Sequence, residues 1–378
     1  MAVACVGAAW LVVAPYVESA AFMLDLAGSK HWVRRVLPAS SMPVTTTDLQ
    51  VPGRHGAVAA RLTEPRAVRS DLPSVIVFPG VHAGGVDEPR LSTFSTRLAA
   101  TGIRVVSVPI PDMRAFRITA RSTDVIEDVI AWVSAQRALA PTGRVGVAGI
   151  SFAGGLALVA AGRPATADRL QFVVSLGGHG DLPRVMTYLC TGRLADGTTR
   201  PPHDYGVAII LLAAVDRVVP AEQAGPLRDA VSTFLTASSD TSSDPQRAER
   251  GFRDARAAAA RLAEPARTYM NWVNDRNTAE LGRLLLPLVE DLGGAAALSP
   301  ERSPATRVPV FLLHGEADNV IPSPEAPRLA AYLEEHSDRR VRWLLTPLVS
   351  HAHLQEDAPL VDAWRLVSFW TAVRGAAR

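Results

Sequence analysis

The stretch that most constrains the fold of this chain is residues 144–155, Arg-Val-Gly-Val-Ala-Gly-Ile-Ser-Phe-Ala-Gly-Gly. The β-branched run at 145–147 predicts a short buried strand, and the apolar, alanine- and glycine-rich segment 156–162 predicts a helix. Ser151 falls between the two, at a sharp strand-to-helix turn. Small residues at positions 149, 153 and 154 leave room for this turn, since larger side chains would collide with the turning backbone. The positive end of the following helix then lies behind the serine.

Strands and helices alternate around this turn. Strands are predicted at 44–51, 57–62, 74–78, 104–108, 145–147, 172–176, 308–313 and 341–345. Helices are predicted at 91–100, 123–139, 327–336 and 361–373. Such alternation is typical of an α/β fold with a mostly parallel, doubly wound sheet.

Residues 181–305 interrupt the alternation. Helical patterns occupy 182–189, 221–235, 247–263 and 269–292, and residues 237–244 read as a polar loop. The chain is therefore predicted to comprise an apolar N-terminal helical segment (1–38), a first core segment (39–180), a helical insertion (181–305) and a second core segment (306–378).

The sequence around Ser151 resembles the nucleophile elbow of the α/β-hydrolase superfamily, Gly-x-Ser-x-Gly, with Ala153 at the last glycine. The resemblance covers roughly residues 45–180 and 306–375. Within the superfamily it is loosely similar to the dienelactone hydrolase and acyl-hydrolase branch, whose typical cysteine nucleophile is replaced here by serine. It implies an α/β-hydrolase fold in which residues 181–305 form a cap over the active site.

A serine hydroxyl becomes a good nucleophile only beside a base, usually histidine, which a carboxylate orients. In the superfamily these groups follow in the order serine, acid, histidine, at the ends of strands. Asp318 follows the predicted strand 308–313, and His351 follows the last strand. The resemblance therefore implies Ser151, Asp318 and His351 as the catalytic residues.

Each assignment has a rival. Asp216 ends an apolar run that mimics the one before Asp318, although the two alanines that precede Asp216 favour a helix. Glu316 is a second alternative acid, and capping of the helix near residue 324 is an alternative role for Asp318. His353 is the rival of His351 as the base.

The anionic oxygen of a tetrahedral intermediate needs two backbone donors. The resemblance implies that the N–H of Phe152 supplies one and that the loop Pro79-Gly80-Val81-His82 supplies the other. We assign the second donor to Val81, with His82 as the rival. His82 is also a candidate for substrate contact.

Charge and cysteine content exclude several classes of function. The formal net charge is +2 and the arginines are scattered, so nucleic-acid binding is not indicated. The only cysteines, Cys5 and Cys190, predict neither a disulfide nor a metal cluster. No metal or organic cofactor is expected.

The N-terminal residues 1–17 carry no charged side chain, and Lys30, Arg34 and Arg35 follow them. Three interpretations remain: a hydrophobic helix packed on the protein or on a membrane surface, a membrane anchor, and a signal peptide. We expect a cytoplasmic protein, with association with a membrane surface through this segment as one of the alternatives left open.

The predicted function is a serine hydrolase that cleaves the carboxylic ester, or thioester, of a small-molecule acyl substrate through an acyl-enzyme. Three alternatives are an acyltransferase with the same triad, a peptidase and a non-catalytic binding protein on a hydrolase scaffold.

Overall fold

The valine- and isoleucine-rich runs of the sequence form one eight-stranded sheet in the computed structural model, which describes residues 2–28, 42–67, 71–349 and 359–377. The strands are β1 (Val44–Val51), β2 (Val58–Pro65), β3 (Ser74–Phe78), β4 (Arg104–Ser107), β5 (Val145–Ile150), β6 (Leu170–Leu176), β7 (Val310–Gly315) and β8 (Val341–Thr346). Their order in the sheet is β1-β2-β4-β3-β5-β6-β7-β8. The β1–β2 and β2–β4 pairs are antiparallel, and all other pairs are parallel.

The α-helices of the described residues are α1 (Ala2–Leu26), α2 (Pro89–Ala99), α3 (Pro111–Arg114), α4 (Ala120–Ala135), α5 (Phe152–Ala161), α6 (Leu182–Thr191), α7 (Asp204–Val218), α8 (Ala221–Asp240), α9 (Pro245–Ala259), α10 (Ala266–Asn274), α11 (Thr278–Leu285), α12 (Val289–Gly293), α13 (Glu325–His336) and α14 (Leu360–Ala377). Short 3-10 helices lie at Gly85–Asp87, Pro164–Thr166, Leu286–Leu288, Ala296–Leu298 and Pro300–Arg302.

Alternate side chains of the central strands face two separate cores, because successive residues of a strand point to opposite sides of the sheet. On β3, Ile76 belongs to the buried cluster that includes residues of α4, α5 and the helices between β6 and β7. Its neighbours Val75 and Val77 belong to the cluster that includes residues of α1, α2 and α14. Helices therefore cover both faces, and the predicted mostly parallel, doubly wound sheet is confirmed.

The helical insertion that follows β6 is held to the sheet-forming part of the chain where it begins and ends. The N–H of Glu301 donates to the carbonyl of Gly180 at 3.0 Å. Arg184 of α6 pairs with Glu301 and with Glu325, a carboxylate only 2% exposed at the start of α13. Glu325 also accepts the N–H of Gly180 at 2.8 Å. A buried charge is tolerated when it is paired and hydrogen-bonded in this way. The division of the chain at residues 181 and 305 stays a prediction.

Two predictions inside the insertion are wrong. Residues 269–292 contain parts of three α-helices and a 3-10 helix instead of one helix. The first break occurs where Asn277 caps the start of α11 by accepting the N–H of Glu280. Residues 237–240 belong to α8 instead of the predicted polar loop. There Thr236 and Ser239 donate their hydroxyls to carbonyls of the helix itself, so a polar composition does not end it.

The predicted N-terminal helix is present as α1 and packs on the protein. Phe22 and Met23 are buried with residues of α2 and α14, and Glu18 forms an ion pair with Arg374 at 2.6 Å. Tyr16 stacks on a tryptophan of α14 with 5.2 Å between ring centroids. None of the helices in the described ranges combines the length and the apolar character needed to cross a membrane. Association with a membrane surface stays a prediction.

Candidate active site

Ser151 occupies the single-residue turn between β5 and α5. Its φ of 56° and ψ of −135° lie outside the conformations that non-glycine residues ordinarily adopt. Its N–H donates to the carbonyl of Leu176, at the end of β6, with an N···O distance of 2.7 Å. The side chain is nearly buried, with the residue 7% exposed. Backbone strain of this kind concentrates at functional sites, where it aims a reactive group.

Three glycines near Ser151 permit this turn, and two of them, Gly154 and Gly155, lie outside the Gly-x-Ser-x-Gly pattern. A Cβ atom at Gly149 would lie 2.3 Å from the carbonyl oxygen of Ala153, and one at Gly154 would lie 2.4 Å from Ser175 Oγ. A Cβ at Gly155 would lie 2.4 Å from the ring of His179. A larger residue at position 149, 154 or 155 would therefore force neighbouring atoms to shift. Position 153 holds an alanine, which is fully buried.

The predicted oxyanion loop lies directly against the serine. A Cβ atom at Gly80 would be 3.0 Å from Ser151 Cβ and 3.6 Å from its Oγ, so glycine allows the loop backbone to approach. Val81, the next residue, is half-buried against the core. Phe152 begins α5, and the first N–H groups of a helix have no acceptor within it. The loop of Gly80 and the start of α5 thus flank Ser151, and Val81 and Phe152 stay the predicted oxyanion donors.

His82 of the same loop lies beside the insertion. Its Nδ1 accepts the N–H of Gly84 at 2.9 Å, which leaves Nε2 to carry the hydrogen of the neutral ring. Burial lowers the pKa of His82, and the carboxylate of Glu88 opposes that shift. The backbone of Ser239 and the charge of Asp240 also act on the ring, so the carboxyl end of α8 lies near this loop. With Nδ1 accepting from Gly84, the ring hydrogen on Nε2 is directed at the backbone of Ser239, which ties this loop to the end of α8.

Asp318 lies in the loop that follows β7, which we call the acid loop (residues 316–321). Its Oδ1 accepts the N–H groups of Val320 and Ile321, at 2.9 and 3.1 Å, and the residue is 1% exposed. A Cβ atom at Gly177, just beyond β6, would be 3.5 Å from Oδ2. The carboxylate is therefore fixed at the carboxyl edge of the sheet, which is the edge that carries Ser151.

His314, on β7, contacts the acid loop from the side of the sheet. Its Nε2 lies 2.8 Å from the carbonyl oxygen of Ile321 and 3.5 Å from Asp318 Oδ2. Since a carbonyl only accepts, Nε2 carries the proton. The ring is almost completely buried. His314 is thus a strand-end residue that holds the acid loop by a hydrogen bond.

Backbone hydrogen bonds connect the relevant strand ends. Ser151 binds the last residue of β6, and the N–H of Gly177 donates to the carbonyl of Leu313 on β7 at 2.7 Å. The N–H of Glu316 donates to the carbonyl of Thr346, the last residue of β8, at 3.1 Å. The turn of Ser151, the acid loop and the exit of β8 thus lie side by side. The predicted base His351 and its rival His353 follow that exit and lie outside the described residues.

The rival acids occupy different surroundings. Asp216 lies within α7, where its side chain is 74% exposed and pairs with Arg228 at 2.7 Å. Glu316 is exposed at the start of the acid loop. The carboxylate of Asp318 accepts N–H groups of its own loop, whereas α13 begins at Glu325. Of the three acids considered, only Asp318 is buried at the strand ends.

Sequence reasoning missed several residues of the insertion that contact the acid loop. Arg200 donates to the carbonyls of Glu316 and Asp318, and the N–H of His203 donates to the carbonyl of Asn319. Tyr205 is half-buried and lies close enough to Asp318 for the charge of that carboxylate to add to the effect of burial, and both raise the pKa of its hydroxyl. These residues lie in or next to a loop without hydropathy periodicity, so no pattern distinguished them.

Comparison with known proteins supports the same architecture. No protein-family model matches this chain, and no curated protein is significantly similar in sequence. An esterase from Pyrobaculum calidifontis, in its monoclinic crystal form, matches 96% of this chain and 92% of its own, with a TM-score of 0.50 and 17% identity. A mutant of the esterase rPPE, complexed with (S)-Ac-CPA, matches 94% of this chain and 88% of its own, with a TM-score of 0.50 and 14% identity. The chain has the α/β-hydrolase fold, as the resemblance implied.

Proposed function

We propose that this chain is a carboxylic ester hydrolase that uses Ser151 as its nucleophile and works through an acyl-enzyme. One observation carries the proposal: Ser151 is held at φ 56° at the carboxyl edge of the sheet, with Gly80 of the neighbouring loop packed against it. A strained serine between a glycine-lined loop and a helix N-terminus is suited to attack a carbonyl carbon. The structural neighbours named as esterases agree with this chemistry.

In the proposed reaction, Ser151 Oγ attacks the ester carbonyl while His351 removes the hydroxyl proton. The carbonyl oxygen becomes an oxyanion, which the N–H groups of Phe152 and Val81 bind. As the tetrahedral intermediate collapses, the bond to the leaving alcohol breaks and His351 gives its proton to that alcohol. The acyl group then remains on Ser151.

Deacylation repeats these steps with water as the nucleophile. His351 takes a proton from water, the resulting hydroxide adds to the acyl carbon, and the proton returns to Ser151 Oγ as the acid leaves. Asp318 orients the imidazole and stabilises its cationic form. The ring of His82 is the proposed substrate contact. These steps use protein groups and water only.

A panel of activated substrates tests the proposal. We expect purified protein to release p-nitrophenol from p-nitrophenyl acyl esters and to cleave the matching thioesters, but to leave p-nitroanilides of the same acids intact. Cleavage of anilides alone would indicate a peptidase, and ester formation with added alcohols at the expense of free acid would indicate an acyltransferase. No turnover of any acyl compound would favour the non-catalytic alternative.

The preference of the enzyme for acyl groups of a given chain length should depend on the insertion. Its helices α7 and α8 are rich in buried aliphatic side chains, and α8 ends beside His82. An apolar roof excludes water and binds apolar acyl groups. We therefore expect kcat/KM in the p-nitrophenyl series to rise from acetate to longer acyl chains.

The two candidate bases are separated by a pair of variants. His351→Gln should lower kcat by roughly 10⁴ or more, because the nucleophile loses its proton acceptor. His353→Gln, two positions away, should change kcat by less than about tenfold. Equal stability of the two variants by thermal unfolding is the control, and the opposite order of activities would assign the base to His353.

A further inference from the structure

The insertion contacts the acid loop through several hydrogen-bond donors. Arg200 Nη1 donates to the carbonyl oxygen of Glu316 at 2.9 Å and to that of Asp318 at 3.3 Å. The N–H of His203 donates to the carbonyl of Asn319 at 2.8 Å, and the hydroxyl of Tyr188 approaches the same oxygen at 3.4 Å. All three donors belong to the stretch from α6 to the start of α7. The carbonyls of the acid loop thus face the insertion, whereas His314 holds the loop from the sheet side.

The hydrogen bonds of the Arg200 side chain contrast with those of three other arginines of the insertion. Arg184, Arg217 and Arg228 pair with carboxylates. The hydrogen bonds found for the Arg200 side chain in the described part of the chain go to backbone carbonyls instead. A guanidinium presents several N–H donors in a rigid plane, which lets one group bind two carbonyls of a turn at once. The pairing therefore fixes the path of the backbone around Asp318.

The backbone of Arg200 is itself anchored. Its N–H donates to the carbonyl of Gly192 at 2.8 Å, and residues 193 and 199 form an isolated antiparallel bridge. Gly192 ends α6 in the left-handed conformation at φ 66°. The side chain of Arg200 is consequently presented to the acid loop from a fixed turn, and it is half-buried there.

We propose that Arg200 is a positioning residue for the reaction: it holds the acid loop through the Glu316 and Asp318 carbonyls and so aims the Asp318 carboxylate. The insertion then supports the triad as well as covering the site. This inference rests on the proposed function, in which Asp318 is the acid. Small misplacements of catalytic groups cost as much as roughly 10²-fold in rate, so loss of this support is measurable.

The first test compares Arg200→Met with Arg200→Lys and with the control Arg193→Met. Methionine keeps an extended apolar side chain but donates no hydrogen bond, and Arg193 is an exposed arginine of the same turn. We expect Arg200→Met to lower kcat by about tenfold with KM unchanged within about twofold. Arg200→Lys, which keeps a donor, should recover part of the loss, and Arg193→Met should behave as wild type. A rise in KM at constant kcat would place Arg200 on the substrate and overturn the proposal.

The second test places Arg200→Met in the Asp318→Asn background and measures the rate at which a fluorophosphonate labels Ser151. If Arg200 acts through Asp318, Arg200→Met should change the labelling rate by less than about twofold in the Asp318→Asn background. The reason is that the effects of two substitutions are not additive when one residue acts through the other. The same loss in both backgrounds would show that Arg200 acts independently of the acid and would overturn the inference. Should Arg200→Met fail to fold, Arg200→Lys serves in the same cycle. Full activity of Asp318→Asn alone would instead refute the assignment of the acid.

Discussion

Ser151→Ala is expected to abolish ester hydrolysis, with kcat reduced by roughly 10⁶, because removal of an activated nucleophile leaves only binding and oxyanion stabilisation. The fold should survive the change. Alanine lacks only the hydroxyl oxygen, and the backbone contacts of residue 151 with Leu176 and Gly154 do not involve the side chain. Relief of the strained turn is not expected, since alanine at φ 56° has the same Cβ as serine. Steady-state kinetics on p-nitrophenyl esters measure the loss.

Ser175→Ala is a matched control for this variant. Ser175 lies on β6, next to the turn, and its Oγ is buried without a hydrogen-bond partner within the described residues. Removal of that hydroxyl should leave kcat within about threefold of wild type and should not lower the free energy of unfolding, since a buried unpaired polar group is unfavourable. An Ser151→Ala variant that kept a tenth of the wild-type activity would show that another residue is the nucleophile.

Asp318→Asn is expected to lower kcat by roughly 10⁴, the second-largest effect, because an amide cannot stabilise the imidazolium form of the base. The geometry of the loop should be retained, since the amide oxygen of asparagine still accepts the N–H groups of Val320 and Ile321. Steady-state kinetics on p-nitrophenyl esters measure the loss of kcat, and thermal unfolding checks that the fold is retained.

Asp216→Asn is the control for the acid. Asp216 is exposed on α7 and pairs with Arg228 at the protein surface, an interaction of small energetic value. Its replacement should change kcat by less than about tenfold. The reverse ranking of these two variants in the same assay would move the acid into the insertion and contradict the site described above.

The turn at Ser151 was predictable because its signal is local and steric. Gly149 faces a carbonyl oxygen and Gly154 faces a hydroxyl, and an added Cβ atom would lie too close to either. Glycines at these spacings around a serine are visible in the sequence itself. The strands were predictable for a similar reason, since runs such as 74–78 are buried on both faces of a parallel sheet and are apolar throughout. Asp318 followed from its place after one of these runs.

The helical insertion was less predictable because one of its longest apolar segments, α7, lacks a single clear apolar face. Residues 204–218 form a nearly continuous apolar run, which hydropathy alone cannot assign to helix or strand. Arg200 was missed for a different reason: it contacts Glu316 across 116 positions of sequence, from a turn without periodicity. Only a structure brings such partners together.

The central claim is that Ser151 carries the acyl group during turnover. The most direct measurement is intact mass spectrometry of the protein after reaction with a fluorophosphonate, followed by peptide mapping of the adduct. We predict a single phosphonyl group on Ser151, formed more slowly when excess ester substrate is present during labelling and absent from the Ser151→Ala variant. An adduct on a different residue, or ester turnover by a protein that the probe does not modify, would contradict the claim.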